Sequence, residues 1–595
     1  MIRLSDYVAK RLAEHGVKDV FMISGGGAMH LNDAIGRCKS LRYICNHHEQ
    51  ATAIGAEGYS RVSDRLGVSI VTTGPGGTNT LTGVIGQWLD SIPALYISGQ
   101  VKFTTTKDSC PEVGLRQLGD QEIGIVDIVR SVTKYSEMVT DPYRIKYVLD
   151  KAIYLATAGR PGPVWIDIPL NVQAALIDER KLKGFVPPKK KSSRDVAAKA
   201  AKTLALLRAA RRPVIIAGHG IRLAGAQALF ERLADRLNIP VVATFAGFDL
   251  VPNSAPWFSG RIGTIGTRGG NFTLQNADLV ISLGSRNNIR QVSYDWANFA
   301  HRAKKVIVDI DPAELAKPTV HPDLAVNADV KEFVSALLSV LPKNGAGDFS
   351  AWLQWCRERN RRYPVVLEEY RKLKTKVSPY HFMETLTEML RPATPVVAGN
   401  GSACVCLFQA GMVHKGQRVF WNSGCASMGY DLPAAIGACV GNGGKETVCL
   451  AGDGSIMMNL QELATVAHYR LPLKIFVLNN EGYVSIRQTQ ENFFKGNYVA
   501  CDSSSGVGFP DFIRVARSFG LATEVIDSAR TMKTRIQKVL KHKGPVLCEV
   551  RLPRDHKFMP KLSSEKKPDG SMVSKPLEDM WPFLEREEFQ SNMIA

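Results

Sequence analysis

The sequence predicts an α/β protein made of three doubly wound parallel-sheet domains. Three observations carry this. Short apolar runs rich in Val and Ile recur along the chain and end at Gly, Asp or Asn. Helix-like segments such as ATAIGAEGYSRVS and MNLQELATVAHY lie between them. The apolar runs are continuous rather than alternating, as in strands buried on both faces of a parallel sheet. Ligands in such sheets bind outside the carboxyl ends of the strands.

The elements follow in order. The opening MIRLSDYVAKRLAEHGVKDVFMISGGG reads as an amphipathic helix running into a strand. It has no long apolar core before a small-residue cleavage site, so no signal peptide is expected. GVSIVTT, ALYISG and PVWIDI continue the first unit, at about 1–178. A polar, basic break follows near 180–196, with Lys189, Lys190 and Lys191 after a Pro pair. PVIIAG, LVISLG and KVIVDID make a second unit at about 196–341, and PKNGAGDFS ends it. TPVVAG, TVCLAGDG, LKIFVLNN and PVLCEV make a third at about 365–553. The tail at 554–595 lacks strand signals, but Met580, Trp581 and Phe583 favour its docking on the body.

Composition narrows the function. The 595 residues are 45% hydrophobic and 22% charged, ordinary for a soluble globular protein. No uninterrupted 18-residue apolar run marks a membrane span. The net charge of +19 suits an anionic small substrate. Its basic clusters, Lys189–Lys191 and Lys557–Lys567, lack interleaved aromatics, so nucleic-acid binding is not expected. The 11 cysteines are scattered without zinc spacing, which fits free thiols in the cytoplasm.

The sharpest motif is Gly452-Asp453-Gly454-Ser455, after the strand TVCLA and before a helix. It pairs with Asn479-Asn480 at the end of the next strand; 480 − 453 = 27 positions is one helix plus one strand. Both side chains therefore return to the same sheet edge. Hard oxygen ligands there suit Mg²⁺, which completes its shell with phosphate oxygens. Gly454 and Ser455 lead into a helix N-terminus, which favours a phosphate.

This GDG…NN pair resembles the signature of the thiamine-diphosphate enzymes, and the resemblance covers nearly the whole chain. It is closest to the acetohydroxyacid (acetolactate) synthase branch. It implies a pyrimidine-binding first domain, a central domain and a diphosphate-binding third domain. It implies Asp453, Asn480 and the Gly482 carbonyl as metal ligands. Glu49, in the run Asn46-His47-His48-Glu49-Gln50, falls where the family places the carboxylate that contacts the cofactor's aminopyrimidine. Thr73–Asn79, with Pro75 and Asn79, resembles the loop beside that Glu. Gly399–Ser402, with Gly401 and Ser402, resembles a diphosphate loop. Gly424–Tyr430, with Ser427, resembles the aminopyrimidine segment, Met428 standing under the cofactor's bend. Because Glu49 and GDG…NN lie in different units, the resemblance implies a homodimer or homotetramer with shared sites.

Within the branch, Gly220 in GHG, Arg160 in GRPGPV and Arg286 in LGSR match positions that contact FAD, although Ile265 and Asn287-Asn288 depart from the pattern. Thr489 stands where a Trp selects a small 2-keto acid acceptor, and Asp120 replaces a pocket Phe. These departures favour a bulkier, more polar acceptor, such as the keto sugar nucleotide used by the sugar-pathway acyltransferring relatives. The expectation is decarboxylation of a 2-keto acid, pyruvate, with acyl transfer to an acceptor carbonyl. Gln121 is expected to contact substrate. Gly26, in the loop Gly25–Gly27, offers a backbone N–H to an oxyanion or simply makes a tight turn. A simple 2-keto acid decarboxylase, a flavin-dependent oxidase and a non-catalytic regulatory subunit are the alternatives.

Overall fold

The computed structural model describes residues 1–189, 195–566, 569 and 571–594. Lys190, Lys191 and Lys567 of the basic clusters lie outside them. Three six-stranded, all-parallel sheets follow one another along the chain, each flanked by helices. The α/β expectation holds.

The first and third sheets share one topology. Numbering strands by order within each sheet, both run 2-1-3-4-6-5. In the first these are Arg42–Cys45, Asp19–Met22, Gly67–Val71, Ala94–Gln100, Pro163–Pro169 and Ser136–Met138. In the third they are Val419–Phe420, Val396–Ala398, Thr447–Gly452, Leu473–Asn479, Val546–Arg551 and Ala522–Ile526. The middle sheet runs 3-2-1-4-5-6, with Pro213–Ala217 as strand one and Leu279–Leu283 as strand four. The order in which strands are added reverses between strands one and three in the outer sheets, and between one and four in the middle one. Such switch points open a crevice at the carboxyl ends. The loops at 25–27, 73–79, 218–220, 399–402 and 453–455 each leave one of these strands.

The first and third units pack through helices Glu49–Ser63 and Asp431–Gly441. Glycines allow the approach: a Cβ on Gly437 would stand 1.9 Å from the Gly55 carbonyl oxygen, and one on Gly58 would stand 2.1 Å from that of Ala434. A buried charge cluster closes the seam. Arg61 binds Glu57 at 2.9 Å and Asp90 at 2.7 Å, and the Tyr430 hydroxyl donates to Glu57 at 2.9 Å. The middle unit is stapled to the third by Arg261, which donates to the carbonyls of Gln409 and Gly411 at 2.7 and 2.6 Å.

The tail docks on the middle unit. Asn271 Nδ2 donates to the Leu577 carbonyl at 2.9 Å, Gln275 Nε2 to Glu578 at 2.7 Å, and Asn276 Nδ2 to the Asn592 carbonyl at 3.0 Å. Leu577 and Met580 are buried in that contact, whereas Phe583 stays exposed. Among the described residues no helix is long and apolar enough to cross a membrane.

Candidate active site

In the third sheet, the strands at its switch point deliver two loops to one crevice. Strand Thr447–Gly452 ends in Asp453, and strand Val396–Ala398 ends in Gly399–Ser402. The Asp453 carboxylate is buried and held by three backbone donors: Gly454 N at 2.7 Å, and Asn480 N and Gly482 N at 3.0 Å each. Burial pushes its pKa up to about 6, although the three N–H groups favour the anion. Asn480 Nδ2 donates to Ser402 Oγ at 3.3 Å. Asn480 Oδ1 is sealed from solvent and has no partner. Gly482 has φ +142°, and a Cβ there would meet the Cys501 carbonyl oxygen at 2.3 Å, so only glycine fits.

The segment Gly424–Tyr430 crosses the same crevice. Ser455 Oγ accepts the Gly429 N–H at 2.9 Å, and Asn400 Nδ2 donates to the Ser427 carbonyl at 2.8 Å. Ser427 Oγ is sealed and unpaired. A Cβ on Gly454 would stand 3.1 Å from Met428 Cε and 2.0 Å from the Tyr483 ring. Gly401, Ser402, Ser427, Met428, Gly454, Ser455, Asp453, Asn480 and Gly482 are thus brought together as one wall.

In the first unit, Glu49 opens its helix, with His48 Nδ1 capping it by accepting the Gln50 N–H at 3.1 Å. His48 thus has a structural duty. Asn79 Nδ2 donates to Glu49 Oε2 at 3.0 Å, joining the Pro75–Asn79 loop to the carboxylate. Gly26, Gly27, Thr73, Asp120 and Gln121 line one open cavity together with Lys102. Gln121 takes φ +63°, and its carbonyl packs where a Cβ on Gly74 would come within 2.4 Å. Within one chain the two units meet beside Glu49. Asn459 Nδ2 donates to Gln50 Oε1 at 2.9 Å and to the Gly429 carbonyl at 2.7 Å.

The middle unit holds a second cavity at its own switch point, lined by Arg160, Gly220, Arg286, Asp309, Asp90 and Ser423 among others. A Cβ on Gly220 would meet Gly284 Cα at 2.7 Å, which keeps both loops close. Arg160 is fixed by Ser91 at 2.8 Å, Asp311 at 2.8 Å and Glu314 at 3.0 Å. Asp90 links the middle cavity to the third-unit crevice: it accepts the Ser423 and Gly424 N–H groups at 2.9 and 2.8 Å, and so holds the start of the 424–430 segment.

Several residues escaped sequence reasoning. Glu462 binds Asn46 Nδ2 and His47 N, each at 2.8 Å, and so braces the loop before Glu49. Arg487, adjacent to the pocket motif, is buried and donates to the Asn480 and Glu481 carbonyls at 3.0 Å each. Thr489, by contrast, is exposed and bonds its own helix at Ser485 O, 3.0 Å. Asp431 is buried, its pKa pushed up to about 6 by burial, with Oδ2 sealed and unpaired. His556 contacts Ser402 Oγ at 3.2 Å. Only Arg487 carried a usable signal, a basic residue two positions before the recognised Thr489.

Among the described residues no group of three or more His, Cys, Asp and Glu is placed to hold a metal. A cation in the third-unit crevice would therefore rely on one carboxylate, one amide oxygen and backbone or ligand oxygens, which suits Mg²⁺ rather than zinc.

Three family models match successive parts of the chain. Residues 2–125 match the thiamine pyrophosphate enzyme N-terminal TPP binding domain, 200–337 the central domain, and 399–550 the C-terminal TPP binding domain. The chain is 32% identical over 577 residues to acetolactate synthase 1, chloroplastic, of Zea mays, covering 94% of this chain and 87% of that protein. It is 31% identical to the acetolactate synthase large subunit of Cyanidium caldarium, covering 90% and 91%.

Proposed function

Because the chain belongs to the thiamine-pyrophosphate enzyme family, on its acetolactate-synthase-like branch, we propose that it decarboxylates pyruvate and transfers the acyl unit to an acceptor carbonyl. When bound, thiamine diphosphate supplies the nucleophilic carbon and the electron sink that this chemistry needs. The chain's residues supply position and electrostatics.

Asp453, Asn480 and the Gly482 carbonyl are the proposed Mg²⁺ ligands. One observation carries this: Asn480 Oδ1 lies sealed and unpaired beside a buried carboxylate. A buried acceptor without a partner costs roughly 1–3 kcal/mol, and a bound cation would remove that cost. Gly454, Ser455, Gly401 and Ser402 would receive the diphosphate, and Ser427 and Met428 would hold the ring end. Glu49, oriented by Asn79, is the proposed carboxylate on the aminopyrimidine. Gln121 and Gly26 line the cavity where substrate would enter.

Glu49 is only half-buried in one chain, and Met457, Met458, Ile486, Phe493 and Phe494 are exposed. These support a homodimer or homotetramer that encloses the site. FAD is the proposed occupant of the middle cavity, supported by its switch-point position and the flanking Arg160, Gly220 and Arg286. The acceptor is proposed to be a polar carbonyl compound, a keto sugar nucleotide, because Asp120, Lys102 and Thr73 place polar groups on the cavity wall. A cytoplasmic location fits the 11 free cysteines.

Purified protein with thiamine diphosphate, Mg²⁺, pyruvate and candidate acceptors should yield a product heavier than the acceptor by C₂H₄O, pyruvate less CO₂, with the acetyl group on the acceptor's carbonyl carbon and a proton on its oxygen, read by mass spectrometry. Acetaldehyde alone with every acceptor would reject carboligation.

A further inference from the structure

Asn480 is useful to a cation only if its amide presents oxygen rather than nitrogen. Nothing in Asn480 itself decides that choice, because a flipped amide has nearly the same shape. Its neighbours decide it. His556 Nδ1 lies 3.0 Å from the Pro553 carbonyl oxygen, which can only accept. Nδ1 must therefore carry the hydrogen, and the neutral ring leaves Nε2 as an acceptor. Ser402 Oγ, 3.2 Å from Nε2, then donates to it. With its hydrogen committed, Ser402 Oγ accepts from Asn480 Nδ2 at 3.3 Å. The amide oxygen is turned the other way, where it is sealed and has no partner.

We propose that His556 is a positioning residue which, through Ser402, fixes the amide of Asn480 with its oxygen toward the cation site. The relay has one direction, set by the Pro553 carbonyl. Reversing any link would put two donors or two acceptors face to face. The idea rests on the metal-site reading above, and it adds a residue far from the metal motif in the chain.

Removing His556 frees the Ser402 hydrogen, which can then be donated to Asn480 Oδ1. The amide would turn, and its NH₂ would face the cation. Loss of such an outer partner typically weakens metal affinity by roughly 10–100-fold. His556→Ala is thus expected to raise the Mg²⁺ Kd, titrated by tryptophan fluorescence in the presence of thiamine diphosphate, by at least about 10-fold. His556→Gln keeps a side-chain oxygen acceptor and is expected to restore most of the affinity. Ser402→Ala combined with His556→Ala should cost little more than Ser402→Ala alone, because both act through one relay.

Thermal unfolding of the metal-free variants separates positioning from packing. A near wild-type Tm with weakened Mg²⁺ binding supports the proposal. Equal Mg²⁺ affinity in wild type and His556→Ala would overturn it, as would a loss of metal-free stability matching the loss of affinity. Absence of Mg²⁺-dependent cofactor binding in the wild type would instead sink the metal-site reading itself.

Discussion

Asn459 donates to Gln50 Oε1 at 2.9 Å, so the residue beside Glu49 is tied to the third unit. The same Nδ2 reaches the Gly429 carbonyl at 2.7 Å. One buried amide thus sets the spacing between the loop that carries Glu49 and the segment that carries Met428. Asn459→Ala is expected to destabilise the protein by about 1–3 kcal/mol, the usual range for stranded buried partners. It should also weaken thiamine diphosphate binding. Calorimetric titration and thermal unfolding check both; an unchanged cofactor Kd would show that the spacing is held elsewhere.

The seam between the first and third units depends on glycine. Gly437→Ala would push a methyl group to 1.9 Å from the Gly55 carbonyl oxygen. Both neighbours are helix backbone and cannot turn away as a side chain could. The cost is expected at about 3 kcal/mol or more, at the upper end of overpacking penalties. A large fall in Tm, or failure to recover folded protein, is the expected outcome. A Tm within 2 °C or so of wild type would contradict the close packing.

Asp453 is the one carboxylate in the crevice with three backbone N–H groups aimed at it. Asp453→Ala is expected to abolish Mg²⁺-dependent cofactor binding, with an affinity loss of at least about 100-fold. A calorimetric titration against Mg²⁺ and thiamine diphosphate reads this directly.

Asp167 gives a pH signature. It is fully buried, accepting from Ser98 Oγ at 2.6 Å and Gln100 Nε2 at 3.1 Å, and burial pushes its pKa up to about 7. Between about pH 4 and 7 the folded carboxyl keeps a proton that the unfolded chain has lost. Its contribution is therefore fully present below the unfolded pKa and is lost as pH rises through 7, at about 1.4 kcal/mol per unit of pKa difference. Relative to Asp167→Asn, the wild type should lose thermal stability between pH 5 and pH 8. Parallel Tm profiles for the two proteins would refute the assignment.

Much of this was legible in the sequence, and the limits have physical causes. Asp453 and Asn480 could be paired because adjacent parallel strands return one helix and one strand later to the same edge. The glycine loops were visible because each follows an apolar run. Strand order was not legible. Nothing in the spacing separates the 2-1-3-4-6-5 order of the outer sheets from the 3-2-1-4-5-6 order of the middle one. The Glu57–Arg61 pair has the spacing of a surface helix pair, and only the packing of the third unit buries it. His556 follows the last strand of the third sheet and acts through Ser402, so no local pattern announced it. Of the expected anchors, Met580 is buried but Phe583 is exposed, while Leu577, not singled out in the sequence, is buried.

The central claim is that Glu49 meets the ring of a cofactor anchored by Asp453 and Asn480. Hydrogen–deuterium exchange at C2 of bound thiamine diphosphate, compared between wild type and Glu49→Gln, tests it most directly. Exchange slowed by roughly 10²–10⁴-fold in the variant, with cofactor still bound, is the predicted result. Equal exchange rates in the two proteins would contradict it.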